Sequence, residues 1–162
     1  MSYLIRPVEP ADIPMIILLT SQTAMFKPLE VEALQEVLDD YFAVTRDFGH
    51  KASVLVEEGK ITGYAYWAPA AMTDRTWYLY WIAISNLVQG KGRGGHLLRH
   101  AEDDSFKEGA RLFLIETSGT PHYDRTRQFY LKYDYSLSAC VPDYYADGDD
   151  LCIFSKRLAA KK

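Results

Sequence analysis

Cysteine is scarce in this chain of 162 residues: Cys140 and Cys152 are too few for a disulfide framework, so a reducing compartment with free, mostly buried thiols is expected. Long apolar runs are missing too. The run Met15–Leu19 is far short of the roughly 20 residues of a membrane span, and Glu9 and Asp12 precede it where an export leader would be basic. No membrane partner is expected, and the location is read as cytoplasmic. Cations are not in excess, since 18 Lys and Arg against 22 Asp and Glu leave a formal charge of −4, which argues against a nucleic-acid partner. Lys156, Arg157, Lys161 and Lys162 gather at the C-terminus as a solvated tail. Repeats, low-complexity tracts and linkers are lacking as well, so residues 1–162 are expected to form one domain.

The hydrophobic share, 48%, with 25% charged residues, is that of an ordinary globular protein. A strand is expected over Tyr3–Val8, then a helix opened by Pro10 and Asp12, then a second opened by Pro28 with Leu34, Val37, Leu38, Tyr41 and Phe42 at helical spacing. Ala52–Glu57 and Ile61–Ala68 read as an antiparallel hairpin joined by three residues, Glu58, Gly59 and Lys60. Thr76–Ser85 is apolar on both alternating faces, as a central strand covered on both sides would be. A third helix carries Leu97, Leu98, Ala101 and Phe106 up to a C-terminal Gly109. Arg111–Thr117 is a further strand, and Pro121 starts a fourth helix. Strands near Ser136–Val141 and Leu151–Lys156 close the chain around a connector, Pro142–Asp150, holding an Asp-Gly turn.

The most informative segment, Gln89-Gly90-Lys91-Gly92-Arg93-Gly94-Gly95, lies between the central strand and the third helix. Main-chain N–H groups without partners at a helix start form an anion site, which the helix dipole strengthens. Lys91 and Arg93 add charge. Serving only as a tight turn is the plainer reading of the glycines. A third reading takes Gly90, Gly92 and Gly95 as the GxGxxG of a dinucleotide fold with Glu116 on the ribose. Four residues, Asn86–Gln89, separate that pattern from the strand, which counts against it.

With strand, Gln-x-x-Gly-x-Gly turn and Leu97-Leu98 helix in this order, the chain resembles the GNAT-type N-acetyltransferases over nearly its whole length. The resemblance implies an α/β fold with a mixed, mostly antiparallel sheet of about seven strands flanked by four helices. It implies acetyl-CoA bound at Gln89–Gly95, and main-chain groups of Ile82, Ala83 and Ile84 pairing with the pantetheine arm. The family pattern Asn-x-x-Ala-x-x-Phe-Tyr-x-x-x-Gly-Phe falls on Tyr123, Thr126, Phe129, Tyr130, Asp134 and Tyr135. Tyr123 stands for the Asn that touches pantetheine, and Asp134 for the Gly, a left-handed position that Asp tolerates.

By this resemblance Tyr130 is the acid that protonates the departing thiolate, and an amine substrate attacks directly, with no protein nucleophile. Glu116, at the end of an otherwise apolar strand, is the candidate base. Tyr80 stands where relatives place a Glu, and with Phe26 and Tyr144 it is a candidate for acceptor contact. A surface or ion-paired carboxylate accounts equally for Glu116 and a polar hairpin turn equally for the aspartates around Tyr144, while packing within the core is the lesser reading of Tyr130. His96 and His100 have the spacing of a zinc pair but no third ligand, so no metal is expected. A domain that binds acyl-CoA without transfer is the alternative function, and pairing as a homodimer is open.

Overall fold

The computed structural model describes residues 2–160 and follows the expected order: β1 (Tyr3–Pro7), α1 (Ile13–Gln22), α2 (Pro28–Ala43), β2 (Lys51–Glu57), β3 (Lys60–Pro69), β4 (Thr76–Ile84), α3 (Arg93–Lys107), β5 (Leu112–Ser118), α4 (Asp124–Lys132), β6 (Ser136–Ala146) and β7 (Asp149–Arg157). Lys161 and Lys162 of the basic tail lie outside the described residues. The strands form one seven-stranded sheet in the order β1-β2-β3-β4-β5-β7-β6, with β4 in the middle. β4 and β5 run parallel, while β1–β2, β2–β3, β5–β7 and β6–β7 are antiparallel.

By its internal contacts the chain comprises two compact units, one of residues up to Ala68 with Trp81–Asp103, the other of Pro69–Tyr80 with the residues from Asp104 onward. In the first, the turn into α1 is fixed by Asp12. Its carboxylate accepts the Glu9 N–H at 2.8 Å and is clamped by Arg6 at 2.7 and 3.0 Å. Pro28 occupies the first turn of α2, where a missing N–H costs nothing, and the Lys27 N–H donates to Glu30 at 3.0 Å. Both helices place their apolar faces, Ile16, Leu19, Leu34 and Leu38, in one core with Val54, Tyr64 and Tyr66. The buried Tyr64 hydroxyl is satisfied by Thr20 at 2.7 Å. The β2–β3 connection is tighter than the three residues expected. Glu57 pairs with Lys60, leaving a two-residue turn in which Glu58 (φ 50°) and Gly59 (φ 74°) are both left-handed, matching the twist of the strands.

In the second unit, Trp77 and Leu79 pair with Phe113 and Ile115, and Ile115 pairs onward with Phe154. All five are buried, and Tyr130 of α4 packs on Phe154 with ring centroids 5.8 Å apart. The segment expected to be a loop, Pro142–Asp150, is mostly strand: β6 continues to Ala146, β7 starts at Asp149, and only Asp147 and Gly148 turn. β6 accommodates Pro142 because it is the sheet edge, where one N–H can be spared, and its register shifts between Val141 and Ala146 around Asp143 (φ 57°). The Asp143 and Asp150 carboxylates accept the N–H groups of Gly148 (2.7 Å) and Asp143 (2.9 Å), so they build this hairpin end.

β4 is irregular. Ala70 N–H donates to the Thr76 carbonyl and Ser85 N–H to the Thr62 carbonyl, both at 2.8 Å; between these bonds β3 advances eight residues and β4 nine, so β4 carries one bulged residue.

Candidate active site

β4 ends at Ile84 and passes through a short 3-10 turn, Asn86–Val88, before the glycine segment. The Ser85 hydroxyl accepts the Leu87 N–H, Gln89 Nε2 donates to Asn86 Oδ1 at 2.8 Å, and Asn86 Nδ2 reaches the Gln22 carbonyl of α1 at 3.0 Å. Gln89 thus anchors the turn with its side chain and leaves its successors to present backbone. Gly90 (φ 81°) and Gly92 (φ 77°) are left-handed, with nothing within 4 Å of where a Cβ would stand. Backbone conformation, and not crowding, therefore favours glycine at these two positions. The backbone bonds of α3 begin with His96 N–H to the Gly92 carbonyl at 3.2 Å. Before it, the N–H groups of Gly90 to Gly95 have no main-chain acceptor among the described residues. Six successive residues at the start of a 15-residue helix leave their N–H groups for an anion.

Arg93 does not add a spare cation there. Its guanidinium lies 2.6 Å from Glu57 Oε1, with Nε at 2.7 Å from the same oxygen, and the ring of Tyr3 lies 5.0 Å from its Cζ. Thr62 donates to the other Glu57 oxygen at 3.0 Å. Arg93, by hydrogen bonding first and charge second, holds the Glu57 carboxyl below its usual range. The expected charge of Arg93 is thus spent on fixing the first turn of α3 to the end of β2, while Lys91 is exposed.

Gly63 of β3 is a positioning residue that sequence reasoning missed. A Cβ there would stand 2.6 Å from Ile84 Cδ1, 3.0 Å from Leu97 Cδ1 and 3.1 Å from the Ala83 carbonyl oxygen. Only glycine lets β3 lie this close to the stretch Ile82–Ile84 and to α3. The signal was available as a lone glycine inside an apolar strand. Phe26, between α1 and α2, packs on Trp81 of β4 with centroids 5.5 Å apart.

In the second unit, β4 is not covered on both sides: Tyr80 is 52% exposed. Tyr78 and Tyr80 point to one face and stack, with centroids 5.5 Å apart and planes at 25°. Tyr78 is the register partner of Leu114, so Glu116, two residues further along β5, shares that face. Burial, and after it the Glu116 carboxylate, pushes the Tyr78 phenol up; Tyr80 is raised by burial first, then by Tyr78 and Glu116. A half-exposed aromatic pair beside a carboxylate can hold a cationic group.

The family model for the acetyltransferase (GNAT) family matches residues 17–135. The chain belongs to this family. A protein assigned to the GNAT family from Desulfovibrio desulfuricans is 31% identical, with 98% of this chain and 100% of that one covered and a TM-score of 0.92. A Salmonella typhimurium protein solved with its cofactor acetyl-CoA is 16% identical, with 100% and 97% covered and a TM-score of 0.77. The ribosomal-protein-S18-alanine N-acetyltransferase of Escherichia coli is 15% identical, with 99% and 97% covered and a TM-score of 0.70. These last two establish likeness of fold. No curated protein matches the chain. The dinucleotide-oxidoreductase reading of GxGxxG is set aside by this membership and by a sheet with a single parallel pair among those described.

Within this GNAT chain, the departures from the family pattern have distinct outcomes. Asp134 takes the left-handed conformation (φ 71°), as its position demands. Tyr123 ends the 3-10 turn Pro121–Tyr123 and lies edge-on to His122, with centroids 5.3 Å apart. Tyr130 is buried, and burial pushes its phenol well up. Among the described residues no group hydrogen-bonds to its hydroxyl. Tyr144 lies on the exposed edge strand β6, against Tyr145, and within the hairpin end that the aspartates build. His96 packs on Tyr3 and His100 on Trp67, at 4.7 and 5.8 Å between centroids, so both face aromatic rings.

Proposed function

We propose that this chain, acting as one catalytic domain, transfers the acetyl group of acetyl-CoA to a primary amine of a small molecule or peptide by direct attack. The observation that carries this reading is the run of N–H groups from Gly90 to Gly95 without main-chain acceptors among the described residues, at the start of α3, suited to a diphosphate. Gln89 and Asn86 hold the turn, Lys91 adds charge at its rim, and the residues of Ile82–Ile84 offer strand edge to the pantetheine amides. Tyr123 is assigned to the same arm. Bound acetyl-CoA supplies an activated acyl group on a good leaving thiol.

The chain's own residues then supply proton transfer and placement. Tyr130 carries a phenol that burial keeps protonated, and gives its proton to the leaving sulfur. Glu116 accepts the proton of the attacking ammonium, directly or through water. Tyr78 and Tyr80 hold the acceptor over their stacked faces, a contact in which sequence reasoning had only Tyr80. Phe26 and Tyr144 are assigned to the acceptor walls. The net charge of −4 suits a cationic acceptor in the cytoplasm and no nucleic acid. The exposed edge β6 is the surface on which a second copy would pair.

Titration calorimetry with acetyl-CoA, alongside a panel of amines scored for release of free coenzyme A, tests the reading. Binding of acetyl-CoA with amine-dependent release supports it. Tight binding of a nicotinamide dinucleotide with none of acetyl-CoA overturns it, and binding without release under any amine returns the non-catalytic alternative.

A further inference from the structure

Cys140 of β6 and Cys152 of β7 are register partners across the antiparallel hairpin, and their sulfurs lie 3.9 Å apart. Directly opposed residues of such a pair have Cα atoms about 4.5–5.5 Å apart. That is inside the roughly 4.4–6.8 Å a disulfide spans, so side-chain rotation alone can bring the sulfurs to bonding distance. The thiols differ in access. Cys152 is buried but Cys140 is exposed, which corrects the expectation of mostly buried thiols.

The surroundings of Cys152 favour keeping a sulfur there. A Cβ on Gly119 would stand 3.2 Å from Cys152 Sγ, so glycine at that position leaves the thiol its space. Burial first, and then the bond to Cys140, raises the Cys152 thiol; Asp150 acts in the same sense and Arg127 against it. Such a thiol is slow to meet an oxidant itself and is placed to attack a neighbour that already has.

We propose that Cys140 and Cys152 form a modification site, at which a peroxide converts the two thiols into an intrachain disulfide that closes the β6–β7 hairpin. The Cys140 thiolate attacks a peroxide oxygen, the O–O bond breaks, and water or an alcohol leaves, giving a sulfenic acid. The Cys152 thiolate then attacks the Cys140 sulfur, the S–S bond forms, the S–O bond breaks, and hydroxide leaves and is protonated to water. Two electrons pass from the thiols to the peroxide, and a small thiol reductant reverses the change. Neither cysteine belongs to the acyl-transfer machinery assigned above, so this inference stands apart from that assignment.

The test uses the full chain, reduced and then exposed to hydrogen peroxide while folded. The expected result is loss of both titratable thiols, a mass lower by two hydrogens, a chain that stays monomeric on a non-reducing gel, and recovery with dithiothreitol. Cys152→Ser should leave a Cys140 sulfenic acid that dimedone traps, and Cys140→Ser should leave Cys152 unreacted at the same exposure. Wild-type protein in which Cys140 proceeds to sulfinic acid while Cys152 still titrates would overturn the proposal. So would chains joined to one another through Cys140.

Discussion

The Arg93 guanidinium sits 2.6 Å from the Glu57 carboxylate, tying the first turn of the glycine-bearing helix to the end of β2. Both side chains are about nine-tenths enclosed, at 11% and 9% exposure, so removing one strands the other in a poorly solvated place. Glu57→Gln should therefore destabilise the fold by about 3 kcal/mol, the low end for one orphaned member of a buried pair, as read from urea unfolding at neutral pH. The pH dependence has a definite sign. Folding lowers the Glu57 pKa, so its contribution is present above the ordinary carboxyl range, about 4.3, and fades as pH falls toward the folded value. The gap between wild type and Glu57→Gln should narrow below about pH 4. A gap that stays constant down to acid unfolding would mean that ionisation of Glu57 contributes nothing.

Gly63→Ala places a methyl group 2.6 Å from Ile84 Cδ1 and 3.1 Å from the Ala83 carbonyl. The isoleucine tip can rotate away, but the carbonyl belongs to the strand assigned to pantetheine. Stability should fall by about 1–3 kcal/mol. Because the displaced atom is main chain, KM for acetyl-CoA should rise while the amine KM holds. Equal effects on both would show general loosening.

Most of the fold was legible because each element carries its own local signal: prolines opening α1 and α2, an apolar β4, and Gly109 (φ 94°) ending α3. Less legible were features set by partners distant in sequence. The charge of Arg93 read as a phosphate ligand because Glu57, 36 residues away, is invisible to spacing. The Pro142–Asp150 segment read as a loop because proline and aspartates mark turns, whereas at a sheet edge the missing N–H is tolerated and the carboxylates serve the hairpin. Exposure of Cys140 follows from β6 being the edge, which only topology reveals. Tyr78 beside Tyr80 needed the strand register to be seen, whereas Gly63 carried a signal of its own, a lone glycine inside an apolar strand.

Gly92 separates conformation from contact. At φ 77° an L-residue pays about 1–2 kcal/mol, but no atom crowds the Cβ position. Gly92→Asn, which tolerates this region, should bind acetyl-CoA better than Gly92→Val when both are measured by calorimetry. Comparable loss in both would mean that the ligand itself needs the space.

Tyr130 makes a prediction about what does not titrate. Burial raises its phenol above the ordinary value near 10, so the proton stays in place through neutral and mildly alkaline assays. Activity should rise with pH as the acceptor amine loses its proton, with no alkaline fall due to this residue below about pH 10. Tyr130→Phe keeps the ring against Phe154 and Tyr135 and removes only the hydroxyl. Acetyl-CoA affinity and the unfolding midpoint should therefore hold while kcat drops about 100-fold, the lower range for a lost general acid. A kcat that survives the change would assign thiolate protonation to solvent, and a wild-type alkaline fall near neutral pH that disappears in Tyr130→Phe would mean the phenol is far more acidic than its burial allows.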